Sequence, residues 1–165
     1  MIELRKITFE NQEEVESLAV EENQKNFVAP NLSSLADAWV GITNGQPTNA
    51  YAIYNGDTMV GFLMYCYTPD SSVLPPTDTP IYQFPHYFMW RLMIDKRYQG
   101  KGFGKQAVLL MIDEIKTEPF GPADHIYTSI EPTNENAKKL YNSLGFQLTG
   151  DIDDDELVMD LKLHY

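Results

Sequence analysis

The sequence predicts an α/β domain in which helices cover the faces of a mixed β-sheet. Strand-like segments and segments with apolar residues at helical spacing follow one another in the order β-α-α-β-β-β-α-β-α-β-β. At 165 residues the chain is long enough to bury one core, and no internal repeat divides it. We therefore expect a single domain over residues 1–165.

The first two elements follow from two different periodicities. Apolar and polar residues alternate over much of Ile2–Thr8, which indicates a strand. The segment Asn11–Val20 carries an apolar face at helical spacing, and Thr8 lies before it as a residue that can cap a helix. We expect a helix over Asn11–Val20.

A second helix is bounded by recognisable cap and stop signals. Asn31 or Ser33 can accept a hydrogen bond from the first free N–H groups of this helix. Gly41 and Gly45 are predicted to end it, since glycine is common just after the last helical turn.

A hairpin and a proline-rich loop follow. The hairpin is predicted from strands Ala50–Tyr54 and Thr58–Thr68 around an Asn-Gly-Asp turn. Gly61, inside the second strand, indicates a bulge or a close backbone approach. The loop Pro69–Pro85 holds five of the ten prolines, and loops of this length in a small domain are often functional.

The second half of the chain alternates strands and helices around an acidic turn at Asp151–Asp155. Apolar runs, helical stripes and glycine stops predict strand His86–Asp95, helix Gln106–Lys116, strand His125–Ile130, helix Pro132–Leu144 and strands Phe146–Thr149 and Glu156–Leu163.

Composition narrows the possible partners. The net charge of −12 argues against nucleic acid, whose binding depends on clustered Lys and Arg, and favours a cationic substrate, although acidity also simply promotes solubility. We expect no transmembrane helix, no signal peptide and a cytoplasmic location, because no long apolar run occurs and the N-terminal region turns acidic. Cys66 is the only cysteine, which excludes an internal disulfide, and it is expected in the core. We predict no metal site, because His86, His125 and His164 do not cluster in the sequence.

A glycine-rich segment between a strand and a helix is the main chemical signal. Its glycines expose backbone N–H groups at a helix start, where the helix dipole also favours phosphate, although an ordinary turn has the same composition. Gln106 stands where a Walker A loop needs Ser or Thr, and the glycine spacing does not match a dinucleotide-binding fingerprint. The glycines are Gly100, Gly102 and Gly104, with Arg97, Lys101 and Lys105 beside them.

Two segments resemble one known family. RYQGKG, from position 97, is similar to the R/Q-x-x-G-x-G/A signature of the GNAT N-acetyltransferases, and NENAKKLYNSLGF, from position 134, is similar to their N-x-x-A-x-x-L-Y-x-x-x-G-F segment. The segment IDKRYQGKGFGK resembles sequences of the bacterial spermine/spermidine (diamine) acetyltransferase branch. The resemblance implies a mostly antiparallel sheet splayed in the middle and flanked by about four helices. It also implies acetyl-CoA as cofactor, an amine as acceptor and a homodimer as a possible assembly.

The resemblance also implies a cofactor site between the strands that end near Asp95 and Ile130. Tyr141 is implied as the general acid that faces the thioester sulfur. The implied cofactor-binding residues are Leu92, Met93 and Ile94 for the pantetheine arm, Arg97, Gln99, Gly100, Lys101, Gly102, Phe103, Gly104 and Lys105 around the pyrophosphate, and Asn134, Asn136 and Lys139 along the arm and its phosphates.

The general base follows less directly from the resemblance. The polyamine branch often has an acidic residue in the strand before the glycine loop, where this sequence has Trp90. Glu131, at the end of the next strand, is the remaining candidate, and transfer of the proton to water without a dedicated base is the alternative. Substrate contacts are expected from Glu21, Glu22, Phe27 and Trp90, and regions that also offer them hold Trp39 and the acidic run Asp151–Glu156.

The sequence thus predicts direct acetyl transfer from acetyl-CoA to a primary amine, a polyamine or another small cation, in a ternary complex. An aminoglycoside, an amino acid or a protein N-terminus is the alternative acceptor. A catalytically degenerate acyl-CoA-binding module is the alternative function, because the acidic strand residue is missing.

Overall fold

A computed structural model describes residues 1–75 and 81–163, and in this part of the chain four α-helices flank one seven-stranded sheet. In chain order the elements are β1 Ile2–Lys6, α1 Gln12–Ser17, α2 Asn31–Thr43, β2 Thr48–Asn55, β3 Thr58–Thr68, β4 His86–Ile94, α3 Phe103–Ile115, β5 His125–Ile130, α4 Glu135–Asn142, β6 Gln147–Asp153 and β7 Glu156–Lys162.

The sheet is antiparallel except at its centre. Its strands lie in the order β1-β2-β3-β4-β5-β7-β6, and β4 and β5 are the parallel pair. These two strands pair at Tyr87 with Ile126 and at Phe88 with Tyr127, and then they diverge although each continues for several residues. The predicted mixed, mostly antiparallel and centrally splayed sheet with about four helices is confirmed.

Each face of the sheet has its own core. Helix α3 covers one face, where Tyr65, Met111 and Ile126 are fully buried. Helices α1 and α2 cover the other face, where Val15 and Phe62 are fully buried. Both cores reach β4, so the strand that ends at the glycine-rich segment is fixed from two sides.

A bulge in β4 changes the direction of its side chains. Met64 of β3 pairs with Arg91, whereas the next residue, Tyr65, pairs with Met89, so Trp90 is an extra residue. A bulge bends its strand and increases the local twist. It lies just after the two positions where β4 and β5 pair, and it therefore accounts for their divergence.

Gly61 combines both features that the sequence suggested. The β2–β3 register shifts between Ile53, which pairs with Gly61, and Tyr54, which pairs with Met59. A Cβ atom at Gly61 would lie 2.3 Å from the carbonyl oxygen of Met93 in β4. The absence of a side chain thus allows the β3 and β4 backbones to approach each other.

The helix boundaries on the α1–α2 face differ from the prediction. Helix α1 begins after Asn11 and ends at Ser17 because Leu18 is extended. Neither Asn31 nor Ser33 caps α2: Pro30 is the residue before the helix, and the Asn31 side chain instead donates 2.9 Å to the Val15 carbonyl. Asn31 therefore joins α2 to α1 instead of capping α2 as local rules predict.

The glycine stops of α2 also differ from the prediction. Gly41 lies inside the helix and packs close to Trp90, since a Cβ atom at this position would be 3.6 Å from the Trp90 ring. The helix ends at Thr43, and Gly45 follows with φ of +85°. The predicted stop at Gly41 is wrong.

The remaining corrections concern lengths. Helix α3 begins at Phe103 rather than Gln106, and α4 is shorter at both ends than Pro132–Leu144. Strand β6 extends through Asp153, so the acidic turn is confined to two residues, Asp154 and Asp155, both with positive φ. In the predicted hairpin, the second strand Thr58–Thr68 is confirmed, and the first strand is longer than Ala50–Tyr54, since β2 covers Thr48–Asn55. Residues 76–80 of the proline-rich loop lie outside the described residues.

Candidate active site

A cleft of about 940 Å³ lies where β4 and β5 diverge. The glycine-rich segment, the start of α4, the β6–β7 hairpin and the loop between α1 and α2 all contribute to its lining. The polar N-terminal ends of two helices thus face a cavity that crosses the centre of the sheet.

The glycine-rich segment suits an anion. Gly100 and Gly102 have φ of +73° and +76°, a region that favours glycine, and Gly102 immediately precedes α3 without a side-chain cap. The first N–H groups of a helix have no partner within the helix, and together with the dipole they bind phosphate. Gly100, Gly102, Phe103, Gly104 and Lys105 all line the cleft.

Hydrogen bonds to Asp95 hold the start of the glycine-rich segment in place. The buried carboxylate of Asp95 accepts hydrogen bonds from the Arg97 side chain at 2.7 Å and from the backbone N–H groups of Arg97 and Ala19 at 3.0 Å each. Burial opposes ionisation of Asp95, but these hydrogen bonds outweigh it and hold its pKa below the usual value. The segment is therefore held by a carboxylate that stays ionised.

Several basic residues of the prediction lie outside the cleft lining. The Arg97 guanidinium binds Asp95 and lies 5.1 Å from the Tyr98 ring centre. The Lys101 ammonium lies 5.7 Å from the same ring, and Lys139 is exposed on α4. Lys105 is the predicted basic residue that lines the cleft.

The predicted polar and strand residues line the cleft, and two of them also hold the structure together. Gln99 donates 2.9 Å to the Ile94 carbonyl and 2.8 Å to Gln24, so it links the glycine-rich segment to the loop after α1. Asn134 caps α4 by accepting a bond from the Ala137 N–H. The predicted residues concerned are Leu92, Met93, Ile94, Gln99, Asn134 and Asn136.

Tyr141 and Glu131, the two predicted catalytic residues, have different positions. Tyr141 lies on α4, is 7% exposed and lines the cleft. Burial raises the pKa of its hydroxyl, and the negative charge of Glu156 raises that pKa further, so the group stays protonated at neutral pH. Glu131 follows β5 and lies outside the cleft lining, and its carbonyl accepts the Asn134 N–H.

Part of the cleft lining is aromatic and acidic. The predicted substrate residues Phe27 and Trp90 line the cleft, and so do Asp153, Asp154 and Glu156 of the β6–β7 hairpin. The predicted substrate residues Glu21 and Glu22 are exposed and lie outside the lining, and Glu22 pairs instead with a lysine of its own loop.

Sequence reasoning missed several residues of the cleft lining. Phe88, Arg91 and Ser129 line the cleft, and the Arg91 guanidinium lies 3.2 Å from Asp37 of α2. Simple alternation along β4 could have placed Phe88 beside Trp90, but the bulge that turns Arg91 leaves no local signal.

Histidine and cysteine take structural positions. His125 binds Asp160 at 2.9 Å, and His86 contacts the Gln83 carbonyl at 2.8 Å. Burial raises the pKa of the Cys66 thiol to about 12, which agrees with its predicted place in the core. His164 lies outside the described residues.

Comparison with known proteins places this arrangement in a family. Residues 12–146 match the acetyltransferase (GNAT) family. The chain belongs to this family. It is 31% identical over 152 residues to the spermine/spermidine N(1)-acetyltransferase of Bacillus subtilis (strain 168), which covers 92% of this chain and 91% of that protein.

Solved structures share the GNAT fold. A Bacillus subtilis acetyltransferase in complex with CoA has a TM-score of 0.66 and 18% identity, with 99% of this chain and 98% of that chain covered. The aminoglycoside acetyltransferase AAC(6')-Ib in complex with coenzyme A has a TM-score of 0.77 and 15% identity, with 99% and 95% covered. At these identities the likeness concerns the fold.

Family membership gives the reaction class. This GNAT protein is an acetyl-CoA-dependent N-acetyltransferase. The open glycine-rich segment and the diverging strands fit such a cofactor, because they offer unpaired backbone donors at both a helix start and a strand edge. Within residues 1–75 and 81–163, no helix has the length and apolar character needed to cross a membrane.

Proposed function

We propose that this enzyme acetylates a primary amine of a small polycation of the polyamine class. The observation that carries the proposal is the composition of the cleft lining, in which three carboxylates of the β6–β7 hairpin occur together with Phe27 and Trp90. Carboxylates attract an ammonium group, and aromatic faces stabilise it through cation–π contacts. The relative at 31% identity is named for spermine and spermidine, which supports the same acceptor class.

The net charge supports the proposal at longer range. The chain carries −12, so a polycation is attracted before it contacts the cleft. Arg91 and Lys25 also line the cleft, and each is paired with a carboxylate outside the hairpin, Arg91 with Asp37 at 3.2 Å and Lys25 with Glu22 at 2.6 Å. These pairs leave the hairpin carboxylates available to a cationic substrate. An elongated molecule with several ammonium groups uses such a field better than a monoamine does.

The cofactor is proposed to bind at the glycine-rich segment and the edge of β4. The N–H groups around Gly102 and Gly104, with Lys105 adjacent, would hold its pyrophosphate, and Leu92–Ile94 would hold its pantetheine arm. This edge has no β5 partner, because the two strands diverge after Phe88. Tyr141 of α4 lines the same cleft and would be available to the thioester sulfur.

The chemistry requires few groups in this arrangement. The amine attacks the thioester carbonyl, and a backbone N–H near Met93 stabilises the tetrahedral oxyanion. Tyr141 protonates the departing thiolate, whose conjugate thiol has an ordinary pKa of about 8.5. Burial of Tyr141 keeps its proton in place until that step.

The experiment is an amine screen that follows CoA thiol release. The panel holds spermine, spermidine, 1,3-diaminopropane, a monoamine of equal length, kanamycin and an amino acid. We expect kcat/KM to rise with the number of ammonium groups and to fall steeply with salt, because surface electrostatics is screened. A preference for kanamycin, or equal rates for mono- and polyamines, would contradict the polyamine proposal.

Two tryptophans provide a matched pair of variants. Trp90→Leu removes an aromatic face from the cleft, whereas Trp39→Leu removes one from the exposed side of α2, where Trp39 is 68% exposed. We expect the first variant to raise KM for spermidine by about 5–30-fold, in line with a desolvated cation–π contact. The second should leave KM unchanged.

A further inference from the structure

We propose that Glu156, held by Ser129, is the general base that removes the proton from the acceptor ammonium. The inference rests on the proposed function. It assigns to Glu156 the role of the acidic strand residue that is missing at position 90. Glu156 is the first residue of β7 and lines the cleft, as does Ser129 of β5.

The position of Glu156 is fixed by the sheet. Glu156 pairs with Asp153 across the hairpin, and the next residue, Leu157, pairs with Ile130 of β5. The Ser129 hydroxyl donates a hydrogen bond to Oε2 of Glu156. Among the hydrogen bonds of the described residues, none engages Oε1, which leaves one carboxylate oxygen for a proton from the cleft.

Glu156 also interacts electrostatically with the proposed acid. Its negative charge adds to the effect of burial in raising the pKa of the Tyr141 hydroxyl, which keeps that group protonated. Glu156 likewise attracts the Arg91 guanidinium on β4, whose own hydrogen bonds go to Asp37 and the Trp90 carbonyl. The proposed acid and the proposed base therefore line the same cleft and interact through their charges.

The other carboxylates suit this role less well. Asp153 accepts the Tyr82 hydroxyl and is exposed, and Asp154 lies exposed at the tip of the turn with φ of +46°. Asp95 is buried against Arg97, and Glu131 lies outside the cleft lining. Glu156 combines partial burial, a fixed orientation and access to the cleft.

The protons balance over the reaction. At pH 7 only about one in a thousand molecules of an amine with a pKa near 10 is neutral. Glu156 takes the first proton from the ammonium group and releases it to solvent after the reaction. The nitrogen then forms a bond to the carbonyl carbon, and the C–S bond breaks as Tyr141 gives its proton to sulfur. The second proton of the nitrogen returns to Tyr141 through water.

The test is the pH dependence of kcat/KM for Glu156→Gln, with the best acceptor from the amine screen. With a base, the enzyme uses the abundant ammonium form of the acceptor, and kcat/KM changes little from pH 7 to 9. Without it, the reaction needs the neutral amine, and kcat/KM should rise about tenfold per pH unit. We expect a loss of about 100-fold at pH 7, within the usual contribution of general base catalysis, that shrinks as pH rises.

Asp154→Asn is the matched control, because it removes the same charge from the same hairpin and asparagine tolerates positive φ. Any loss in this variant should appear in KM and should keep the shape of the wild-type pH profile. Ser129→Ala should lower kcat in the same direction as Glu156→Gln but less.

The outcomes separate the two proposals. If Glu156→Gln keeps the wild-type pH profile, or loses activity equally at pH 7 and 9, Glu156 is not the base although the enzyme remains a polyamine acetyltransferase. If the wild-type enzyme acetylates no polyamine, the proposed function itself fails. Acetyl-CoA binding by calorimetry should be unchanged in Glu156→Gln, and its loss would point to a folding defect and contradict the specific role.

Discussion

The carboxylate of Asp95 accepts a hydrogen bond of 3.0 Å from the backbone N–H of Ala19, which lies 76 positions earlier in the chain. A second hydrogen bond runs in the other direction, since the N–H of Lys96 donates to the Ala19 carbonyl at 2.9 Å. The loop after α1 and the glycine-rich segment after β4 are thus joined at one point. Both segments line the cleft, the first with residues of the proposed acceptor site and the second with residues of the proposed cofactor site.

Asp95→Asn should therefore destabilise the protein although it changes little in size. Asparagine retains one acceptor oxygen but loses the charge that strengthens the bonds from Arg97 and Ala19. We expect a loss of about 2 kcal/mol in the free energy of unfolding at pH 7, measured by urea denaturation, because a hydrogen bond to a charged group contributes about 1.5–3 kcal/mol.

The same variant predicts a pH dependence. The pKa of Asp95 is lowered in the folded state, so its contribution is fully present above the unfolded value of about 3.9 and is lost as pH falls through the lower folded value. The difference between wild type and variant should therefore shrink below about pH 4. A difference that stays constant down to pH 2 would show that the charge of Asp95 is unimportant.

Gly102→Glu should abolish acetyl-CoA binding. The substitution places a carboxylate beside the proposed pyrophosphate site and forces a non-glycine residue into φ of +76°. We expect calorimetry to show at least about 100-fold weaker binding, equivalent to about 2.7 kcal/mol. Gly56→Glu is the control, since Gly56 has φ of +61° in the β2–β3 turn and equally open surroundings. Both variants should lose about 1–2 kcal/mol of stability, but the control should bind normally.

Gly61→Ala tests whether close backbone contact sets the geometry of β4. The new Cβ atom would lie 2.3 Å from the Met93 carbonyl oxygen, which belongs to backbone and cannot turn aside. We expect a loss of about 3 kcal/mol in unfolding free energy, the upper range for overpacking.

Gly41→Ala is the contrasting case. Gly41 lies inside helix α2, and its new Cβ atom would lie 3.3 Å from Oε1 of the Gln46 side chain and not against backbone. Alanine favours helix over glycine by about 1 kcal/mol, so this variant should be neutral or slightly more stable. Equal destabilisation of both variants would argue against the backbone contact at Gly61.

Local signals predicted the glycine-rich segment of the cleft, whereas long-range pairs hold the residues around Glu156 in place. The segment Gly100–Gly104 lies between a strand and a helix, so its role as a helix start depends on neighbouring residues alone and could be inferred from the sequence. The bond between Ser129 and Glu156 joins two strands that are not consecutive, and no periodicity indicates it. Asn31 shows the same limit, because its partner Val15 becomes a neighbour only when α1 and α2 pack.

Tyr141→Phe should lower turnover without weakening cofactor binding. Tyr141 lines the cleft, and phenylalanine keeps the ring that packs 5.7 Å from Phe146 while it removes only the hydroxyl. We expect kcat to fall by about 100-fold, in the usual range for loss of a general acid, with the dissociation constant of acetyl-CoA unchanged.

The pH dependence of kcat tests whether Tyr141 keeps its proton. Burial raises the pKa of this hydroxyl, so wild-type kcat should not decline between pH 8 and 10 through loss of the Tyr141 proton. Tyr67→Phe is the control: its hydroxyl donates 3.2 Å to the Pro122 carbonyl away from the cleft, so stability should fall by about 1 kcal/mol while kcat is retained. Full kcat in Tyr141→Phe would show that the thiolate leaves without a protein acid, with water or the acceptor nitrogen supplying the proton.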